Sequence, residues 1–470
     1  MNDGTRINND LRTRRESALA PSYQLFYDDP VHLVCGEDVW VTDVDGNQLL
    51  DCYNNVPSVG HAHPRVVAAL AGQAAQLNTH TRYLHEEVVR LAERLGSMLP
   101  DGLQTCFFVC TGTEANDLAV EIARTVTGQH GVVVSEHSYH GNSSLVSLLS
   151  TDSYPAALRP DWLGVIDAPN DYRGRFRADG PDLADPDLAD PDLADPDLDD
   201  PDGGDLGERY ADLVTIELDA LNERGHRPAA WLVDPSWDSN GVLVAPDGYV
   251  EQCAQLVRAA GGLVIADEVQ SGYCRLGNDF WGHTSYGLVP DIVTIGKPMG
   301  AGHPVAAVVT TPEIAAAFAE RRSYFNTFGG NPVSAAVANS VLDVIEDQQL
   351  LRNASAMGIR LSTQLTELAA RHNVIGNVQG GGLFWGLDLV ADRGTRTPIA
   401  YDDGRRLATE LRHDGILIGL TGPHTNVLKI RPPLTFSSEH VDRLVEVLDV
   451  RLAKFELRGG SERRQPSAES

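Results

Sequence analysis

The stretch VTIGKPMGAGHP, residues 293–304, sets a single cation, Lys297, at the end of a strand-like run and surrounds it with residues of almost no side-chain bulk. A solvated surface lysine has no need of Gly296, Gly300 and Gly302. A lysine that must reach into a crowded pocket and bond covalently to something flat does need them. The run before it, DIVTIG (291–296), reads as a buried strand, because it is short, apolar and rich in β-branched residues.

Further runs of the same kind lie upstream: TCFFVC (105–110), GVVVS (131–135), AAWLVD (229–234) and GGLVIADE (261–268). Helical stretches such as EANDLAVEIARTV (114–126) and YVEQCAQLVRAAG (249–261) separate them. This alternation predicts an α/β fold whose mostly parallel sheet is covered by helices on both faces. Ligands of such sheets bind at the carboxyl ends of the strands, so the chemistry is expected there.

The chain has 470 residues, enough for one large α/β unit and a smaller companion. Near the start, VWVTDVDGNQLLDCYNN (39–55) reads as a hairpin about Asp45-Gly46. HPRVVAALAGQAAQL (63–77) and EEVVRLAERLGSML (86–99) have helical periodicity. After a long helical passage beginning GGNPVSAAVANSVLDVIEDQQ (329–349), GLFWGLDLV (382–390) and VLKIRPPL (427–434) read as strands of a second, α+β unit. The expected division is an N-terminal arm and hairpin at 1–60 that contributes to the small domain, a large domain at 61–330, a small α+β domain at 331–456 and a disordered tail at 457–470.

The charged and hydrophobic fractions, 22% and 42%, are those of an ordinary soluble enzyme. No apolar run is long enough to span a bilayer, and the polar start MNDGTRINNDLRTRRES shows no secretory signal. The six cysteines are scattered without a CxxC, which suits reduced thiols and a cytoplasmic location. Cys106 and Cys110 are expected to pack within a strand. Part of the net charge of −29 comes from a five-residue repeat at 179–205, which holds twelve aspartates and recurrent prolines. Such a repeat can bury no core and is expected to be a disordered insertion. The rest of the chain is still acidic, which argues against nucleic acid and anionic membranes as partners.

Three strand ends carry chemistry. CTGTEANDLAV (110–120) passes from a strand into a helix, and Thr111, Gly112 and Thr113 would offer hydroxyls and free N–H groups to a phosphate; an ordinary helix cap is the plainer alternative. SEHSYHGNS (135–143) puts Tyr139 where its ring could stack on a planar ligand, or serve as a loop residue only. VIADEVQSG (264–272) drives Asp267 and Glu268 out of an apolar strand, where a carboxylate needs a metal, a salt-bridge partner or a protonated heterocyclic nitrogen. A phosphate cradle, a stacking ring, a carboxylate for a pyridine nitrogen and a lysine for a Schiff base together suggest pyridoxal 5′-phosphate (PLP).

With GHAHP (60–64), TGTEAND (111–117), YHG (139–141), ADEVQSG (266–272), GKPMGAGHP (296–304) and TFGGNPVSAA (327–336), the chain resembles the class III aminotransferases from about residue 25 to 452. The resemblance implies the PLP-dependent transferase fold of type I. It makes Lys297 the Schiff-base lysine and Asp267 the partner of the pyridine nitrogen. It further implies that Gly112 and Thr113 bind the cofactor phosphate, that Tyr139 stacks, and that Gln270 lies near the ring hydroxyl. Thr327 would reach the phosphate in a neighbouring subunit, so a homodimer with shared active sites is implied, which could pair further into a tetramer. In this family the two histidines of GHAHP form a structural turn rather than a metal site.

The family grips a substrate carboxylate with an arginine and gates that arginine with a glutamate. In DPSWDSNG (234–241) Ser239 stands where the glutamate belongs, and in NVLKIRPPL (426–434) Lys429 stands where the arginine belongs. Arg431, two residues along a strand, would face the same side as Lys429. YNNVPSVGHAHP (53–64), LNTHTRYLHEEVV (77–89), YFNTFGGNPVS (324–334) and GPHTNVLKIRPPL (422–434) resemble one branch, the ethanolamine-phosphate and phosphohydroxylysine phospho-lyases. That branch implies elimination of phosphate from a small β-phosphorylated amine, with Arg82 and Lys429 as candidate ligands of the departing phosphate and Arg431 as a further substrate-binding candidate; a helix cap or an interdomain salt bridge is the plainer alternative for Arg82. The alternatives are an ω-amine:keto-acid aminotransferase, and a catalytically silent protein of this fold.

Overall fold

The computed structural model describes residues 3–178 and 205–462. Its centre is a seven-stranded sheet of β1 (Thr105–Val109), β2 (Gly131–Ser135), β3 (Leu163–Ile166), β4 (Pro228–Val233), β5 (Leu263–Asp267), β6 (Ile292–Ile295) and β7 (Ala306–Thr310). Their spatial order is β1-β7-β6-β5-β4-β2-β3. The ladders among β2 to β6 are parallel, whereas β7 runs antiparallel between β1 and β6. All five strands read from the sequence are in it; β3 and β7 are additions.

Successive side chains of a strand point to opposite faces, and two separate cores follow from that rule. Val132, Val134, Leu232 and Ile265 pack against Ala115, Leu118 and Ile122 of the helix Gly112–Thr127. Val133, Trp231, Val233 and Val264 face the other way, onto Tyr210 and Leu221 of the helix Leu206–Glu223 and onto Tyr249 and Val257 of the helix Tyr249–Ala259. Burial on both faces is why these strands read as continuous apolar runs instead of alternating ones.

The predicted hairpin forms from Trp40–Asp43 and Gln48–Asp51, with Gly46 at φ +84° in its turn. Its second strand pairs in parallel with Ile416–Leu417, so the start of the chain is joined to its C-terminal third. A further sheet orders Ile375–Gly381, Phe384–Asp392, Val427–Ile430 and Gly419–Thr421 side by side. The strand at 427 stops at Ile430 because Pro432 and Pro433 carry no N–H for a ladder.

Two segments differ from expectation. The polar start forms the helix Asp3–Ala18, aided by an exposed Arg12–Glu16 pair at 2.9 Å one turn apart. The last helix, Ser438–Glu462, runs into the segment read as a disordered tail. The aspartate repeat lies outside the described residues, apart from its final Asp205. Among the described residues no helix is long and apolar enough to cross a membrane.

Candidate active site

Five segments that leave the carboxyl ends of β1, β2, β4, β5 and β6 converge on a cavity of about 310 Å³. From β1, the chain turns through Thr111 into the helix Gly112–Thr127. Thr111 Oγ1 accepts from Glu114 N at 3.1 Å, and the Glu114 carboxylate accepts from Cys110 N at 2.8 Å. The first bond satisfies one of the helix's orphan donors, the second ties Glu114 to the residue before the cap, and Gly112 and Thr113 are left on the cavity wall. The plain cap and the phosphate cradle thus coexist. Gly141, at φ +142°, lies against the cradle: a Cβ there would come within 2.7 Å of Thr113 Oγ1. Cys110, expected inside a strand, instead follows β1 and lines the cavity.

Asp267 ends β5. Its Oδ2 accepts from Asn116 Nδ2 and from His140 Nδ1, both at 2.8 Å, and its Oδ1 accepts from Val269 N at 3.1 Å. Thr294 Oγ1, one strand over, donates to Asn116 Oδ1 at 2.6 Å and so fixes which way that amide points. Asn116 and His140 are cavity residues that the sequence reading did not assign; the signal for His140 was its place beside Tyr139. Glu268 has a separate structural task, accepting from His283 and from Ser271 within a fully buried pair.

Lys297 follows β6 and lines the cavity, half-buried. Burial, then the charge of Arg431, lowers its pKa to about 8 against the pull of Asp238 and Asp267. The small residues around it do two jobs. A Cβ on Gly296 would lie 3.3 Å from Gly112, so this glycine lets the lysine strand approach the cradle. Pro298, Met299 and Gly300 are buried in a tight turn, and the wall resumes only at Gly302 to Val305. Tyr139 and Gln270 also line the wall.

Lys429 and Arg431 do project to one side, as strand alternation requires, but they are not left ungated. Lys429 Nζ meets Asp238 Oδ1 at 2.9 Å and Arg431 Nη1 meets Asp238 Oδ2 at 3.3 Å. The loss of a glutamate at Ser239 is therefore compensated one residue earlier. Trp237, buried and left-handed at φ +42°, gives the turn that brings Asp238 inward. Burial pushes the Asp238 carboxyl up, and Lys429 and Arg431 outweigh it, so its pKa is lowered. The Tyr53 ring lies 5.5 Å from Lys429 Nζ and 5.3 Å from the Arg431 guanidinium. Arg431 also donates to Gln270 Oε1. None of the trio lines the cavity in this conformation; Gln270 connects it to the wall.

Arg82 and Thr327 are not brought to the cavity of their own chain. Both are exposed, with the Arg82 guanidinium 3.9 Å above the Phe325 ring and with Tyr83, Leu84 and Phe328 exposed nearby in sequence. His61 meets Asp51 at 2.7 Å, and His63 caps the helix Pro64–Ala74, so each has a structural partner.

The site fits PLP by its own geometry: a helix N-terminus for phosphate, a glycine whose Cβ would fill the cradle, a carboxylate held by Asn116 and His140, and a half-buried lysine. Comparison with known proteins agrees. The aminotransferase class-III model matches residues 27–452. Ethanolamine-phosphate phospho-lyase homolog 1 of Caenorhabditis elegans is 39% identical over 453 residues, covering 94% of this chain and 93% of that protein. Human mitochondrial alanine–glyoxylate aminotransferase 2 is 32% identical over 436 residues, covering 91% and 83%. Among solved structures, a phospholyase from Arthrobacter in complex with phosphoethanolamine is 40% identical with a TM-score of 0.85, covering 94% of this chain and 99% of that one.

Proposed function

The chain belongs to the class III aminotransferase family, with PLP as its cofactor, and from that premise we propose that it is a phospho-lyase. Its substrate is a small β-phosphorylated amine such as O-phosphoethanolamine, and its products are an aldehyde, ammonia and phosphate. The observation that carries this reading is the buried Lys429–Arg431 pair beside Lys297, held by one carboxylate, in a chain 40% identical to a phospholyase whose structure contains phosphoethanolamine.

The bound cofactor supplies an electron sink for the carbon that bears nitrogen. The chain does the rest. Gly112 and Thr113 hold a phosphate at the helix N-terminus. Tyr139, Gln270 and Asp267, the last held by Asn116 and His140, would hold the cofactor's ring. Lys297 takes the proton from the carbon. A phosphate dianion then competes with Asp238 for Lys429 and Arg431, and both cations stabilise the negative charge as phosphate departs. An amine with no second anion leaves the Asp238 contacts closed.

We place Arg82 and Thr327 in the site of a second copy, as part of a homodimer. The exposed Leu84, Tyr83 and Phe328 form apolar surface suited to such an interface. Six unpaired cysteines suit a reducing, cytoplasmic compartment.

Transamination is the second reading, because Arg431 has the fork of donors that suits a carboxylate and several relatives carry the aminotransferase name. Initial rates separate the two. The lyase reading expects ammonia from O-phosphoethanolamine to form far faster than pyruvate from alanine plus glyoxylate. The opposite order would support the transaminase.

A further inference from the structure

Eliminating phosphate poses a proton problem. The C–H bond breaks and its electron pair becomes a C=C bond, while the C–O pair leaves with the phosphate oxygen. A phosphate monoester dianion would have to depart as a trianion unless its bridging oxygen receives a proton. Lys297 is engaged with the proton taken from carbon. The other cavity groups are poorly suited. Asp267 and His140 are bonded to each other. Asp234 accepts through both oxygens, from Ser236 N and Oγ and from Asp238 N. Burial, with Glu114, pushes the Cys110 thiol up, and burial, with Asp152, does the same to the Tyr139 phenol.

His303 is different. It lines the same cavity as Lys297, on the wall that resumes after the lysine turn. Its Nε2 lies 2.8 Å from Ser334 Oγ. That oxygen also accepts from Asn331 Nδ2 at 2.8 Å and lies 3.4 Å from Pro304 O. When the ring is protonated both nitrogens carry hydrogen, and Nε2 then donates to Ser334 Oγ. Nδ1 is then the nitrogen left to give a proton, and it has no partner among the described residues.

Resting on the phospho-lyase reading, we propose that His303, oriented by Ser334 and Asn331, donates a proton from Nδ1 to the bridging oxygen of the departing phosphate. Phosphate then leaves as the hydrogen phosphate dianion, and neutral His303 recovers its proton from water. Burial lowers the His303 pKa in the ligand-free cavity, and no charged side chain contributes to that shift. An arriving dianion acts in the opposite sense and charges the ring when the proton is needed.

The test compares leaving groups. O-phosphoethanolamine needs a proton at its leaving oxygen, whereas ethanolamine O-sulfate and 2-chloroethylamine release weakly basic anions that do not. With H303Q holoenzyme, phosphate release should fall about 10²- to 10⁴-fold in kcat, the usual worth of general acid catalysis. Sulfate and chloride release should stay within about threefold of the native enzyme. Histidine NMR of the native holoenzyme should show one ring whose titration moves to higher pH when inorganic phosphate is added, and H303Q should lack it. Equal losses on all three substrates, or no loss on any, would overturn the proposal. A Y139F variant with the selective loss, and H303Q without it, would move the role to Tyr139. A native enzyme that releases none of the three anions would instead sink the phospho-lyase reading.

Discussion

Lys297 and Asp238 are the residues on which the electrostatic account is most exposed. An amine with a pKa near 8 is mostly uncharged above that pH, so covalent uptake of PLP by the cofactor-free protein should speed up as pH rises through about 8 and then level. Removing a neighbouring cation favours the protonated amine, so R431M should move that midpoint upward. A midpoint that does not move would show that Arg431 exerts no charge effect on Lys297. K297A should retain no cofactor after borohydride fixation, as read from the protein's mass. At Asp238, D238A would strand two cations that are almost fully buried. It should lose about 3 kcal/mol of unfolding free energy by denaturant titration, the low end for breaking a buried pair from one side. Inorganic phosphate should then raise its Tm more than that of the native protein. The sequence disclosed Lys297, Asp267 and Thr113 because each lies at or just past the end of an apolar strand-like run, which is local information. It did not disclose the Asp238 trio. That contact spans 191 residues, and it depends on a left-handed Trp237 that no pattern of residues announces. A register count therefore pointed to Ser239. His303 was equally hidden, as a lone histidine in a run of small residues.

At the level of elements, the active site is a meeting of strand ends, and its precision comes from close backbone approach. Gly141 is the sharpest case. G141A would combine a conformation that L residues rarely adopt with a Cβ 2.9 Å from Thr113 Cα. Cofactor affinity should fall at least about tenfold, since the cradle would be pushed from the helix axis. Unchanged affinity would mean that Thr113 does not hold the phosphate. The elements themselves were largely legible. Strands buried on both faces read as apolar runs, and the helices between them kept their periodicity. β7 was missed because it is antiparallel and follows the Lys297 turn directly, without the helix that separates parallel strands. The helix Asp3–Ala18 was missed because its residues are nearly all polar, so no apolar stripe marks it.

Taken whole, the molecule joins its first strands to its last third, and Tyr53 from the start, Gln270 from the middle and Arg431 from the end meet in one charge network. The proposed dimer would add Arg82 and Thr327 from a second copy. Light scattering should then give twice the mass of one chain, and L84D should yield a folded monomer with weakened cofactor retention. A protein that is fully active as a monomer would refute the shared site. The central claim is elimination without an amino acceptor. The direct measurement is the inorganic phosphate released per molecule of bound cofactor when holoenzyme meets O-phosphoethanolamine with no keto acid present. The account predicts continuing release, many phosphates per cofactor, with acetaldehyde and ammonia in equal amounts. Release of no phosphate, with the cofactor left in its amine form after a single turnover, would contradict it.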